Sequence, residues 1–184
     1  SLNITVNGST NFSRLFTEFV LVNISNGSRV LAEFPWNFSA ANLSLNFTVD
    51  TENTSSSVGS FLFKGLSLPQ NITKNITVSN FNTSINSVCI HDAALDSLSG
   101  ISFSCNSTNE VLLACPGVNS SYNCSVDGDF YKITNLSFSG VVEQCSDTDE
   151  DGYYADTCGS GNDCNEADAS IHPGATDTCG NGID

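Results

Sequence analysis

The sequence predicts an all-β chain: an Ig-like β-sandwich over residues 1–144, followed by a small, disulfide-bonded and loop-rich module over residues 145–184. Three observations support this prediction. Runs of alternating apolar and polar residues recur through the first 144 residues, turn-forming pairs separate many of them, and helical periodicity is weak everywhere. Many short strands at this spacing are typical of a β-sandwich, and 184 residues with 12 Phe suffice to bury a core.

Many of the predicted strands are separated by turn signals such as Asn26-Gly27 and Asp127-Gly128. A single helical turn is predicted over residues 92–98. The strand pattern stops at Cys145, where an Asp- and Gly-rich segment begins. The predicted strands are residues 2–6, 16–24, 29–34, 43–49, 60–63, 75–78, 101–105, 111–115, 130–134 and 136–142.

Sixteen Asn-X-Ser/Thr triplets, the acceptor motif for N-linked glycans, lie within the first 135 residues. Random placement of the Asn, Ser and Thr of this chain would give about 5 such triplets. We therefore interpret the excess as a glycosylated surface rather than as chance matches on a polar one. The acceptors are Asn3, Asn7, Asn11, Asn23, Asn26, Asn37, Asn42, Asn46, Asn53, Asn71, Asn75, Asn82, Asn106, Asn119, Asn123 and Asn135.

The middle residue of nine triplets is Ile, Leu or Phe. The order polar, apolar, polar is typical of a half-buried strand. Residues 42–49 are the clearest example, with acceptor residues on one predicted face and apolar residues on the other. We expect glycans on the solvent faces of strands, where they would block broad face-on contacts, so that a partner must dock through edges, ends or a bare patch.

Eight cysteines, an even number, accompany these acceptors and indicate an oxidising, extracellular setting with four disulfides. Two His and no paired Cys-X2-Cys argue against a zinc cluster. Cys115 and Cys124 flank an apparent hairpin turn and are predicted to pair, which leaves Cys89 for Cys105. The last four are expected to pair among themselves, in an order that the sequence does not give: Cys145, Cys158, Cys164 and Cys179.

The net charge of −15 is uneven. Residues 1–145 hold all five Lys and Arg with ten acids, whereas residues 146–184 hold ten acids and no Lys or Arg. A nucleic-acid partner is disfavoured because phosphate contacts need basic residues, and the acidic block indicates cations. No apolar run approaches the roughly 20 residues of a membrane span and no secretory signal is visible, so Ser1 is expected to be a processed terminus.

The acidic block opens on a metal-ligand pattern. Carboxylates at positions 1, 3 and 5, a glycine at 6 and a main-chain carbonyl at 7 form the first half of a calcium loop. Position 12 is Cys158 rather than Glu, so the segment is not an EF-hand. The five residues in these positions are Asp147, Asp149, Asp151, Gly152 and Tyr153.

The rest of the block reads Asp163-Cys-Asn165-Glu-Ala-Asp168, then Ile171-His172-Pro173-Gly174-Ala175, then Asp177-Thr-Cys179-Gly-Asn-Gly-Ile183-Asp184. Residues 145–184 resemble the metal-binding repeat first named for MopE-type copper proteins, which is common in secreted bacterial and archaeal surface proteins. They are also similar to the Asp-rich calcium repeats of thrombospondins. The resemblance implies calcium ligands at Asp147, Asp149, Asp151, Tyr153 (its carbonyl), Asp163, Asn165, Asp168 and Asp177.

Two ligands depart from that pattern, because Asn165 stands for the commoner Asp and Asp177 for Glu. The sequence stops at Asp184, before the closing D-C segment of the family, so the last ion would be completed by a terminal carboxylate or a neighbouring subunit. Calcium, as more than one ion, is favoured over copper because copper prefers imidazole ligands. His172 is the one imidazole of the module and is expected at the surface before Pro173.

We expect a secreted structural glycoprotein: a calcium-stabilised subunit of an extracellular filament or sheath on a prokaryotic, archaeal cell, with other copies of the chain as partners in head-to-tail contacts. Residues 2–6 either form the first strand of their own sandwich or add to the sheet edge of a neighbour. The alternative is a calcium-stiffened adhesion or carbohydrate-binding module in which Trp36 stacks on sugar, unless Trp36 is buried in the core.

An enzyme is not expected, since no nucleophile elbow, zinc-protease helix or phosphate loop is present. Paired acids for glycoside cleavage would be invisible in the sequence, but the dense acids fit the ion module better. His91, beside Asp92 and close to Cys89, is interpreted as a structural residue near a disulfide.

Overall fold

Alternating apolar residues of the first 144 positions fold into two antiparallel sheets packed face to face, which confirms the predicted all-β sandwich. The computed structural model describes residues 1–50, 58–66, 68–69, 71–81, 85–102, 104–138, 140–144, 149, 151, 153, 165 and 167–175. The chain divides into two units, Ser1–Gln144 and Cys145–Asp184. Among the described residues, the single helical element is one 3-10 turn, and no helix has the length and apolar character to cross a membrane.

The seven-stranded sheet has the order β1-β2-β3-β6-β11-β10-β9, and the five-stranded sheet has the order β4-β5-β12-β7-β8. The strands are β1 (Leu2–Val6), β2 (Phe19–Asn26), β3 (Arg29–Asn37), β4 (Thr48–Asp50), β5 (Ser60–Lys64), β6 (Lys74–Ser79), β7 (Ser87–His91), β8 (Glu110–Ala114), β9 (Gly117–Val118), β10 (Asn123–Asp127), β11 (Phe130–Leu136) and β12 (Gly140–Glu143).

The core lies between the inner faces of the two sheets. Successive side chains of a strand point to opposite faces, so every second residue of β2, β6 and β11 enters this layer. Tyr131 is 1% exposed there, and its hydroxyl donates a hydrogen bond of 2.6 Å to the carbonyl of Ile85. Other buried core residues are Val22, Ile24, Phe34, Ile76, Val78 and Ile133 from the larger sheet, and Phe61, Phe63, Val88, Ile90, Leu113 and Val141 from the smaller.

The outer face of the five-stranded sheet is also buried at its central strands β5 and β7, because residues 92–102 and 104–109 lie across this part of it. We call residues 92–102 and 104–109 the covering segment. Leu62 of β5 is only 2% exposed although it points away from the core cluster, and Leu98 of the covering segment is 5% exposed. Gly140 of β12 permits this contact, since a Cβ there would lie 2.7 Å from Leu95 Cδ2.

Two predicted strands are wrong. Residues 43–47 form no strand, and β4 starts only at Thr48, which pairs with Lys64 at the end of β5. At the next residue Gly65 has φ +89°, where a Cβ would lie 2.5 Å from the carbonyl oxygen of Asn46. Gly65 thus leaves the extended conformation and the β4–β5 pairing ends at Lys64, so Asn42 and Asn46 are not on a strand face as predicted.

The predicted strand 101–105 belongs instead to the covering segment. Cys105 has φ 51° and donates its N–H to the Ser102 carbonyl at 3.2 Å, which is a turn. The helical element falls at Leu98–Gly100, later than the predicted residues 92–98, with the Ser97 side chain accepting a hydrogen bond from the Ser99 N–H.

Candidate metal centre and glycan acceptors

Two aspartates of the first acidic segment accept hydrogen bonds from the backbone two residues ahead. The N–H of Asp151 donates to Asp149 Oδ1 at 3.4 Å, and the N–H of Tyr153 donates to Asp151 Oδ1 at 2.8 Å. This is the Asx turn that Asp favours in loops. Each turn uses one carboxylate oxygen of its aspartate, so alternate aspartates bend the chain locally as the calcium-loop pattern requires.

The second carboxylate oxygen of Asp151 supplies the test of whether a cation fits. Asp151 Oδ2 is buried from solvent and has no hydrogen-bond partner among the residues that the structure describes. A buried carboxylate oxygen is costly unless it is hydrogen-bonded or coordinates a metal. Its neighbours in the predicted ligand set supply carboxylate and carbonyl oxygens, the donors that hard divalent cations prefer. The described residues therefore fit a metal of this class.

The second acidic segment is a series of tight turns. Asn165 accepts the N–H of Ala167 through both its carbonyl (2.7 Å) and Oδ1 (3.4 Å). Asp168 Oδ1 accepts the Ser170 hydroxyl at 2.7 Å and the Ser170 N–H at 3.1 Å. These two hydrogen bonds hold the pKa of the Asp168 carboxyl below its ordinary value. Asp168 itself is exposed to solvent.

An aromatic contact joins the two acidic segments. The rings of Tyr153 and His172 stack with centroids 4.9 Å apart and planes inclined by 12°. His172 is therefore half-buried against a predicted ligand residue instead of lying free at the surface, and its Nδ1 lies 3.1 Å from the Pro173 carbonyl. Nothing in the spacing of these residues signals the pair, because the two rings are 19 positions apart in the sequence.

Part of the predicted site lies outside the described residues. This holds for three metal ligands, two acceptors and the last four cysteines, namely Asp147, Asp163, Asp177, Asn53, Asn82, Cys145, Cys158, Cys164 and Cys179. Within the described part of the chain, one group of three potential ligands has its atoms within 4.8 Å of one another: Cys89, Cys105 and Glu110. Both sulfurs form a disulfide, and cysteine binds metals as the thiolate, so this group is not a metal site.

Both predicted disulfides of the sandwich are confirmed. Cys89 of β7 bonds to Cys105, with Cα atoms 5.6 Å apart, and so attaches the covering segment to the outer face of its sheet. Cys115, which directly follows β8 of the smaller sheet, bonds to Cys124 in β10 of the larger sheet, with Cα atoms 5.2 Å apart. The second bridge therefore links the two sheets at one side of the sandwich.

The acceptor asparagines are placed as a glycosylated surface requires. Of the fourteen in the described part of the chain, none is buried, and only Asn23, Asn37 and Asn75 are half-buried. The strand registers put Asn3, Asn23, Asn75 and Asn123 on the outer face of the seven-stranded sheet. The prediction of acceptors on solvent faces of strands agrees with these four positions and is wrong for the stretch before Thr48.

A small ion-pair network surrounds Asn75 on that outer face. Glu33 Oε1 accepts a hydrogen bond from Asn75 Nδ2 at 3.0 Å and lies 2.7 Å from Lys132 Nζ. Burial raises the pKa of Glu33, but the hydrogen bonds from Asn75 and Lys132 and the charge of Lys132 outweigh it and leave the pKa below its ordinary value. Since an N-glycosylated amide keeps one N–H, a glycan on Asn75 is compatible with this hydrogen bond.

Three acceptor positions have a backbone conformation that favours asparagine. Asn7, Asn71 and Asn135 have φ values of 46°, 69° and 71°, a left-handed conformation in which Asn is enriched among non-glycine residues. Asn7 also accepts the N–H of Leu21 through Oδ1 at 2.9 Å. Local turn chemistry therefore accounts for these three asparagines without a glycan, though not for a Ser or Thr two positions later.

His91 and Glu110 form a buried pair beneath the covering segment. His91 Nδ1 lies 3.7 Å from Glu110 Oε1, and the Glu110 side chain is fully buried. Glu110 accepts hydrogen bonds from the Ser102 N–H (2.7 Å), the Ser102 hydroxyl and the Ser107 N–H (2.9 Å). Burial raises the pKa of Glu110, but these hydrogen bonds and His91 outweigh it, so the pKa lies below its ordinary value. One carboxylate oxygen of Glu110 lies within 4.8 Å of the Cys89 and Cys105 sulfurs, so the pair lies beside this disulfide.

Asp92 anchors the chain after β11. It accepts the Tyr122 hydroxyl at 3.2 Å, the Ser137 N–H at 3.1 Å and the Phe138 N–H at 2.5 Å. Burial and the nearby Asp92 raise the pKa of Tyr122 to about 12. The Lys74 ammonium, which donates to the Ser137 carbonyl at 2.5 Å, is buried beside this group, and burial lowers its pKa to about 8 against the opposing charge of Asp92.

Trp36 lies in the core. It is 3% exposed, its ring meets Phe34 edge-on with centroids 6.5 Å apart, and its Nε1 donates to the Ala41 carbonyl at 3.1 Å. A sugar cannot stack on this ring, so the version of the carbohydrate-binding alternative that depends on an exposed Trp36 is wrong.

One comparison with known proteins gives a match. Residues 163–184 match the family model Cu-binding MopE, whose description reads "Putative metal-binding motif". The resemblance to the MopE-type motif is thereby confirmed for this part of the C-terminal unit. No curated protein and no solved structure matches the chain.

Proposed function

We propose that this chain is a structural module of an extracellular assembly, in which a glycosylated β-sandwich is joined to a calcium-binding acidic unit and copies associate head to tail into a filament or sheath. The acceptor asparagines support the first part. Fourteen described acceptors, none of them buried, give the sandwich a surface that oligosaccharides can occupy without disturbing the core.

Calcium is the proposed metal. The described ligand candidates offer carboxylate, amide and main-chain carbonyl oxygens, and calcium takes six to eight oxygen ligands. Copper prefers imidazole, and the one imidazole of the unit belongs to His172, whose ring is stacked on Tyr153. The ten acids of residues 146–184 also favour more than one ion, because their mutual repulsion is relieved by each bound divalent cation.

The observation that carries the assembly proposal is an apolar groove beside β1. This cavity of about 370 Å³ is lined by Ile4 and Val6 of β1 together with Phe12 and Leu15. Phe12 is 54% exposed and Leu15 is 87% exposed. Contiguous exposed apolar side chains mark interaction sites in soluble proteins. Because β1 also ends its sheet, an extended segment of a second copy has both a strand edge and an apolar groove to bind.

Residues 2–6 do not supply that segment in this structure. They form β1 and pair with β2 of their own sheet, from Leu2 opposite Asn26 to Val6 opposite Val22. The strand-donation version of head-to-tail assembly would need β1 to detach, so we propose docking at the groove and edge instead.

The test combines electron microscopy with matched variants of the glycosylated protein. Material in calcium is expected to form filaments, which chelator and Leu15→Glu each disrupt. Val118→Glu is the control, since Val118 is 75% exposed on β9 at the opposite edge of the same sheet. The Val118→Glu variant should assemble normally. Monomers in calcium would refute the assembly role, and calorimetric heat with copper but none with calcium would refute the metal assignment.

A further inference from the structure

A second cavity, of about 550 Å³, lies beside β4 and β5 and takes no part in the metal centre or the groove at β1. Its volume is in the range of small-molecule sites, about 300–1,000 Å³. The rings of Phe63 and Phe138 line it, and Lys64 and Asp96 stand at its polar side. Lys64 Nζ donates to the Asp96 carbonyl at 2.8 Å and so closes that side.

One complete acceptor triplet lines this cavity. Asn46, Phe47 and Thr48 all contribute to its wall. The Asn46 side chain is exposed, so it is free to carry a glycan, while Phe47 fixes the backbone by stacking on Phe63 with ring centroids 4.8 Å apart and planes inclined by 21°. A glycan on Asn46 therefore starts at the wall of a preformed cavity.

We infer that this cavity seats the first sugars of an N-linked glycan attached to Asn46. The inference rests on the proposed glycosylation and adds a binding site to it. A sugar ring has an apolar C–H face and a hydroxyl edge, and the cavity offers the exposed ring of Phe138 together with a polar side at Lys64 and Asp96. The ring of Phe138 is 47% exposed, and a seated sugar would cover it.

Because the glycan is covalently attached to Asn46, weak contacts are sufficient to hold its first sugars in the cavity. A group held by a short flexible linker has an effective concentration in the millimolar range at its binding site. A free oligosaccharide binding only through one or two aromatic contacts would not occupy the cavity at ordinary concentrations, whereas the glycan on Asn46 would. The seated glycan then stabilises residues 41–47, which have no strand partner of their own among the described residues.

A double-mutant cycle tests the inference. Asn46→Gln removes the glycan, Phe138→Ala removes an aromatic wall, and the double variant measures their coupling in the unfolding equilibrium constant. We expect a coupling of about fivefold or more, since contacting groups are not additive. The control cycle pairs Phe138→Ala with Asn3→Gln, because Asn3 is exposed on β1 and does not line this cavity. Both cycles are repeated on protein made without glycans, and glycopeptide mass spectrometry reports which acceptors are occupied.

Coupling in the Asn46 cycle of the glycosylated protein, absent from the Asn3 cycle and from the glycan-free protein, would support the seated glycan. An occupied Asn46 with additive effects would overturn it, as would an Asn46 left bare while other acceptors are occupied. Neither result would touch the proposed glycosylation of the sandwich. Acceptors that are bare throughout would refute that glycosylation, and the seated glycan with it.

Discussion

The two sheets of the sandwich present different outer faces. That of the seven-stranded sheet is open to solvent and carries Asn3, Asn23, Asn75 and Asn123. That of the five-stranded sheet is covered by protein, with the covering segment fastened through the Cys89–Cys105 disulfide. One sheet therefore has an outer face open to solvent, whereas the central strands of the other have protein on both faces.

The strand sequences record this difference. In β2 and β6, buried and more exposed residues alternate, as in a strand with one wet face. In β5 the first four residues, Ser60 to Phe63, are all buried, and in β7 the first four, Ser87 to Ile90, are buried as well. Alternation thus marks β2 and β6 of the open sheet, and a continuous buried run marks the central strands β5 and β7 of the covered one.

The largest expected effect separates equivalent leucines on the two outer faces. Leu62→Ala, at a position 2% exposed under the covering segment, should lower the free energy of unfolding by about 3 to 4 kcal/mol, because it removes buried methyl groups and leaves a cavity. Leu21→Ala, at a position 42% exposed on the larger sheet, should cost less than about 1 kcal/mol. Urea denaturation of both variants measures the difference, and equal losses would contradict the comparison.

The second largest expected effect comes from removing the Cys89–Cys105 disulfide. Cys89→Ala combined with Cys105→Ala opens a link between residues 16 positions apart, which corresponds to about 3 kcal/mol of chain entropy in the unfolded state. Hydrogen exchange should also rise in the covering segment. The matched pair is Cys115→Ala with Cys124→Ala, which should leave exchange in that segment unchanged. If the covering segment stays protected from hydrogen exchange without the Cys89–Cys105 disulfide, packing alone holds it on the sheet.

The smallest effect compares two glutamates. Glu110→Gln should cost about 2 kcal/mol, because the buried side chain loses an acceptor oxygen facing the donors of Ser102 and Ser107. Glu33→Gln should cost less than about 1 kcal/mol, since its ion pair with Lys132 is partly exposed. Chemical denaturation at neutral pH measures both, and a larger loss for Glu33→Gln would reverse the assignment of open and covered faces.

The same two groups set a pH dependence. Both have folded pKa values below the ordinary 4.5, so they bind fewer protons in the folded than in the unfolded state near that pH. Their contribution is fully present above about 4.5 and is lost as the pH falls through the folded pKa values. Unfolding curves from pH 6 to 3 should therefore show declining stability, with a shallower decline in Glu110→Gln.

Much of the sandwich could be predicted because its information is local. β1 was predicted at its observed bounds, and strands near β3, β5 and β6 follow from alternation and turns. β7 was not predicted, although its first four residues, Ser87 to Ile90, are all buried. The predicted strand at residues 43–49 failed for a non-local reason, since the partner strand ends at Lys64 and Gly65 turns away.

The site divides in the same way. The alternating aspartates and the match over residues 163–184 are sequence patterns, so they could be found without a structure. The Tyr153–His172 stack and the buried Oδ2 of Asp151 depend on how separate loops meet, and no spacing rule encodes them. The cavity at Asn46 was likewise invisible, because its walls come from β5, the covering segment and Phe138.

The positions of the first and last strands have a mechanical consequence. β1 is hydrogen-bonded to β2 alone among the described strands, whereas β12 is held on both sides by β5 and β7. When a chain is stretched between its ends, the strand with one bonded neighbour yields before the strand with two. Peeling β1 frees residues 1–18, about 60 Å of extended chain. Force spectroscopy should record this as an early, low-force extension that leaves the disulfide-linked remainder of the sandwich folded.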